Sequence, residues 1–82
     1  MYTVTFARHA IKGLDALTSK DRSRVQAEIQ ALADDPTPAN SIQMSGSTLR
    51  RLRVGTYRVI YDMDDTALTI MIVEVGHRRD VY

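Results

Sequence analysis

The stretch Leu49-Arg50-Arg51-Leu52-Arg53-Val54-Gly55-Thr56-Tyr57-Arg58-Val59-Ile60-Tyr61-Asp62-Met63 decides the fold. It holds two runs of strand-forming residues, Leu49–Val54 and Tyr57–Met63, with Gly55-Thr56 between them. A two-residue connection with glycine first suits a type II′ hairpin turn, and such a turn fixes the register. Val54 then faces Tyr57, Arg53 faces Arg58, Leu52 faces Val59 and Arg51 faces Ile60. Cross-strand partners share a face of the sheet, and so do alternate residues on one strand. Arg51, Arg53 and Arg58 therefore fall on one face. Leu52, Val54, Tyr57, Val59 and Tyr61 fall on the other, which is read as the core side. Like charges placed directly opposite each other destabilise a sheet by up to about 1 kcal/mol. Arg53 opposite Arg58 breaks local consistency in the way functional sites do. The plainer alternative is a solvated, charged strand face.

The rest of the chain builds outward from this hairpin. Asp64-Asp65-Thr66 predicts a second turn, and Ala67–Val75 a third strand. That strand is nearly continuous apolar sequence, which suggests a central strand covered on both faces. Toward the N-terminus, residues 2–6 alternate, with Tyr2, Val4 and Phe6 on one side. From Ala7 the period becomes helical: Ala10, Ile11, Leu14 and Leu17 form a stripe with Gly13 inside it. Ser19 is the expected cap of a second helix, with Val25, Ile29, Leu32 and Ala33 inward and an end near Asp34, ahead of Pro36. Residues 36–47 read as a loop. The expected plan is one α+β domain over 1–82, β-α-α-β-β-β, an antiparallel sheet packed against a helical hairpin.

Composition narrows the chemistry. The 82 residues contain no cysteine, which excludes disulfides and thiolate metal sites, and the two histidines cannot close a zinc site by themselves. A chain of this size buries only about 60% of its unfolded surface, so its core is small. No segment approaches the ~20 apolar residues of a membrane span. The N-terminus has no signal-peptide pattern, and a cytoplasmic protein is expected. Net charge is +1, from 11 Lys/Arg and 10 Asp/Glu. The placement says more than the sum. Arg50, Arg51, Arg53 and Arg58 lie in a window without an acid, and Arg78-Arg79 form a second basic pair. A local cationic face on a nearly neutral chain points to a specific anionic ligand.

The last residues, Gly76-His77-Arg78-Arg79-Asp80-Val81-Tyr82, place an imidazole, two guanidiniums and a phenol within six positions. Cleavage of an RNA phosphodiester needs a group to take the 2′-OH proton, cations for the pentavalent transition state and a donor for the leaving oxygen. Arginine's planar fork fits phosphate oxygens bidentately.

Leu52–Tyr61 together with Val75–Tyr82 resembles the RelE branch of the RelE/ParE toxin superfamily, and the order of elements agrees along the whole chain. The resemblance implies a RelE-like fold and a toxin of a type II toxin–antitoxin system. It implies an endoribonuclease that cleaves mRNA in the ribosomal A site without metal or other cofactor. It places active-site positions at Arg51, Arg53, Arg58, Arg78 and Tyr82. Arg58 would hold the scissile phosphate, Arg78 would stabilise or protonate the leaving group, and Tyr82 would stack on a base. Positions 51 and 53 are often lysine in the family. Arginine keeps its proton, so it makes a poor general base, and His77 is the candidate for that role. Arg50 and Arg79 complete the basic clusters as flanking RNA contacts. The implied partners are a RelB-like antitoxin, the ribosome and mRNA, with operator DNA bound only through the antitoxin complex. Two alternatives share these features: a ParE-like inhibitor of DNA gyrase with the same fold, and a non-catalytic nucleic-acid-binding module.

Overall fold

The structure, a computed structural model, describes residues 1–77. Strand β1 (Thr3–Phe6) leads into helices α1 (Arg8–Asp15) and α2 (Ser19–Ala31). Strands β2 (Ser41–Gln43), β3 (Leu49–Val54), β4 (Tyr57–Asp64) and β5 (Thr69–His77) follow. The five strands form one sheet in the order β1-β5-β4-β3-β2. Ala10 and Leu14 of α1 and Val25 and Ile29 of α2 pack on one face of it. They meet Leu52 and Val54 of β3, Val59 and Tyr61 of β4, and Ile70, Ile72 and Val75 of β5. The other face carries no helix among the described residues.

The β3–β4 hairpin has the register expected from its turn, from Val54↔Tyr57 through Arg53↔Arg58 and Leu52↔Val59 to Arg51↔Ile60. Gly55 has φ +59° and Thr56 does not enter the left-handed region, as a type II′ turn requires. Around this hairpin the sheet differs from expectation in two ways. It is mixed rather than wholly antiparallel, because β1 runs parallel to β5, with Val4 beside Ile70 and Phe6 beside Ile72. It also has a strand where a loop was expected. Residues 41–43 pair with β3, Ile42 opposite Arg51, in a segment too short and polar to show alternation.

Strand β5 runs from Thr69 to His77 rather than from Ala67 to Val75. The Asp64 carboxylate accepts from the backbone N–H groups of Thr66 (2.9 Å) and Ala67 (3.0 Å), and Leu68 takes φ +55°, so the turn is longer. A bulge follows: Ile60 pairs with Glu74 and Tyr61 with Ile72, which leaves Val73 over. The bulge changes which residues point inward, so Ile70, Ile72 and Val75 are all buried. The unbroken apolar run thus reflects a change of parity, not coverage on both faces. Met71, between two buried isoleucines, is 48% exposed.

The helices are held by local chemistry. Thr18, not Ser19, caps α2, its hydroxyl accepting from the Asp21 N–H at 3.3 Å. Arg22 closes the end of α1, with Nε donating to the Leu14 carbonyl (3.2 Å) and Nη2 to that of Leu17 (2.9 Å). Gly13 lies against β5 so closely that a Cβ there would collide with the Val75 carbonyl oxygen. No described helix is long and apolar enough to cross a membrane.

Candidate phosphate-binding face

The sheet face opposite the helices carries the arginines. On β3, Arg51 and Arg53 stand two residues apart, and Arg58 of β4 is the direct partner of Arg53. Opposed side chains at this spacing have Cβ atoms roughly 5 Å apart, so the three guanidiniums form one cluster at the hairpin end of the sheet. Ile60, opposite Arg51, is its apolar floor and is buried. Arg58 is half-buried and its Nε is fully buried, while Arg53 is exposed. Among the described residues of β4 and β5, two acids share this face, Glu74 beside Ile60 and Asp62 farther along β4. Glu74 is engaged by His9 across 2.9 Å, and Asp62 pairs with Leu49 and Met71 toward the far end of the strands. Arg51, Arg53 and Arg58 meet at the hairpin end of this face, and three guanidiniums so placed can grip a phosphate bidentately or span adjacent phosphates.

Two elements fix Arg53. Its N–H donates to the Asn40 carbonyl (2.9 Å), and its own carbonyl accepts from Asn40 Nδ2 (2.9 Å). The same nitrogen is 3.2 Å from Glu28 Oε1 on α2. Asn40 thus extends the β2–β3 pairing by one residue and ties it to the helical layer. Beside it, Ala39, Asn40, Ile42, Arg51 and Arg53 line a groove of about 270 Å³. At the hairpin tip the Arg24 guanidinium covers the space next to Gly55, lying 3.0 Å from where a Cβ would sit. Asn40, Ile42 and Arg24 were not among the residues expected from sequence. Only Arg24 bore a signal, its charge, and nothing in the sequence places it at the turn.

Not every expected site residue joins this face. Arg50 is opposite Tyr61, on the core side. Its Nε donates to the Tyr61 hydroxyl (3.3 Å) and its Nη2 to the Ser41 hydroxyl (3.0 Å), so it braces the sheet edge instead of facing outward. His77 is the partner of Tyr57, whereas Arg58 is the partner of Gly76. The His77 ring meets the Tyr57 ring edge-on at 5.9 Å and 80°, which sets it on the side of the sheet opposite the arginines. The Tyr57 hydroxyl donates to Asp21 Oδ2 at 2.7 Å. The Tyr57 pKa is raised above its ordinary 10.0, first by this hydrogen bond, then by desolvation and by the charge of Asp21. Arg78, Arg79 and Tyr82 lie outside the described residues.

Comparison with known proteins gives the same family from several directions. The family model for the ParE toxin of type II toxin–antitoxin system, parDE, matches residues 4–82. Toxin RelG of Mycobacterium tuberculosis is 33% identical over 88 residues, covering 99% of this chain and 95% of that protein. Among solved structures, the RelBE2 toxin–antitoxin complex of M. tuberculosis has a chain with TM-score 0.81 and 29% identity, covering 94% of this chain and 98% of its own. The archaeal RelE–RelB complex of Pyrococcus horikoshii OT3 has one with TM-score 0.85 and 27% identity, covering 98% of each. The hairpin register, the helical layer on one sheet face and these likenesses agree, and the chain belongs to the RelE/ParE superfamily of type II toxin–antitoxin toxins.

Proposed function

We propose that this toxin is an endoribonuclease that cleaves mRNA in the ribosomal A site and so halts translation. The observation that carries the reading is the cluster of Arg51, Arg53 and Arg58 on a sheet face that carries no helix among the described residues. In this reading Arg58 holds the scissile phosphate and Arg51 and Arg53 hold its neighbours. The 2′-oxygen attacks the adjacent phosphorus, the P–O5′ bond breaks, and the products are a 2′,3′-cyclic phosphate and a 5′-hydroxyl. The guanidiniums stabilise the charge that builds on the pentavalent phosphorane. Arg78 serves the leaving oxygen and Tyr82 stacks on a base.

Arginine does not accept the 2′-OH proton at neutral pH. His77, facing Tyr57, is badly placed to do so. The reading therefore rests catalysis on positioning and charge stabilisation, with water or an RNA group taking the proton. No metal enters the reaction as we write it. A RelB-like antitoxin is the partner this reading assigns, in keeping with the RelE–RelB complexes among the similar structures, and operator DNA is bound through that complex.

The ParE description of the matching family model favours a second reading, inhibition of DNA gyrase. One experiment separates the two. The purified protein is added to ribosomes programmed with a defined mRNA, and new 5′ ends are mapped. Cuts at the A-site codon bearing 5′-hydroxyl ends support the ribonuclease. Intact mRNA together with blocked supercoiling by gyrase supports the ParE-like reading.

A further inference from the structure

The groove beside the arginine cluster contains more than charge. Ile42 lies on β2, an edge strand of three residues, and its partner is Arg51, so its side chain belongs to the arginine face. It is 52% exposed, whereas the preceding Ser41 is buried on the core side. An isoleucine in this position adds little to the core and leaves apolar surface next to two guanidiniums. Among the described residues that line the groove there is no carboxylate. Its volume of about 270 Å³ falls just below the roughly 300–1,000 Å³ of sites that enclose a drug-sized ligand. A ligand that is flat and apolar in one part and anionic in the next fits this lining, and one nucleotide within a single strand has that character.

We propose that this groove is a subsite for a single nucleobase of the RNA, next to the phosphates gripped by Arg51 and Arg53. The proposal rests on the RNA-cleaving reading above. Ile42 is the wall against which the base lies. Asn40, pinned to Glu28 and to the backbone of Arg53, holds the lining beside Ile42 fixed relative to Arg53. The charge of the lining favours a nucleic acid over an apolar protein segment as the occupant.

The test measures equilibrium binding of short single-stranded RNAs, made uncleavable with 2′-deoxy sugars, in a series with one abasic nucleotide at each position in turn. Wild type loses about three- to tenfold in affinity at one position, the amount that covering one exposed aliphatic side chain supports. Ile42→Ser loses a similar factor on intact RNA and nothing more on the RNA abasic at that position. Losses that multiply in the combination overturn the subsite. So does an Ile42→Ser variant that binds every RNA as wild type does, including one that has instead lost affinity for an antitoxin. Arg51→Ala separates the two levels of the argument. If it weakens RNA binding while Ile42→Ser does not, the base subsite falls and the phosphate face stands. If wild type binds no RNA, the base subsite falls, and cleavage on programmed ribosomes decides the phosphate face separately. Ile42 is exposed on an edge strand, so Ile42→Ser is expected to fold, and an unchanged thermal melt verifies this.

Discussion

Arg53 and Arg58 face each other across the hairpin with like charge. Such a pair costs stability, and its presence is best explained by a ligand that arrives with the opposite charge. Arg53→Thr should therefore raise the unfolding midpoint by a few degrees, since up to about 1 kcal/mol of repulsion is relieved and 1 kcal/mol corresponds to roughly 4–8 °C in a domain this small. The same variant should bind RNA more weakly. A variant that melts no higher than wild type would show that the pair is not strained. Tyr57 makes a second prediction at this scale. Its raised pKa means the folded chain keeps a proton that the unfolded chain releases near 10.0. The hydrogen bond to Asp21 thus stabilises fully below about pH 10 and is lost as pH climbs through the folded value. The stability gap between wild type and Tyr57→Phe, followed by denaturant melts, should be constant from pH 7 to 9 and shrink above 10. A gap that widens there would contradict the assignment.

Among the elements, the hairpin was the most legible in sequence, because its turn chemistry and its alternation agree. The same register, carried one pair further, sets Arg50 opposite Tyr61 and so away from the ligand face. His77 was not legible in this way. Its side depends on the bulge at Val73, and an extra residue in a run of Ile, Met, Ile and Val leaves no mark in the pattern. Strand β2 was hidden for a related reason: in three residues, one inward serine and one outward isoleucine invert the usual code. The glycine of α1 could be noticed but not explained from sequence alone. The structure accounts for it by the contact with Val75. Gly13→Ala should gain close to 1 kcal/mol in helix propensity yet destabilise the fold by about 1–3 kcal/mol net, because α1 must shift off β5. A chemical melt decides this, and an increase in stability would mean the helix does not press on the strand.

For the whole molecule, the fold divides the sheet between two tasks. One face, with both helices, carries the core that a chain of 82 residues can afford. The other is left without a helix among the described residues and presents the arginines with Ile42 beside them. Family and fold follow from features spread along the chain, whereas the site depends on which way a few side chains face. That is why the arginine cluster could be read from the hairpin while its neighbours could not. The most direct measurement is the single-turnover rate at which the purified protein cuts a defined mRNA on programmed ribosomes, compared between wild type, Arg58→Ala and His77→Gln. We predict a loss of roughly 100-fold or more for Arg58→Ala, the scale seen when one transition-state donor is removed, and a rate within about threefold of wild type for His77→Gln. Undiminished cleavage by Arg58→Ala, or no cleavage by wild type, would contradict the assignment of the arginine face to mRNA cleavage.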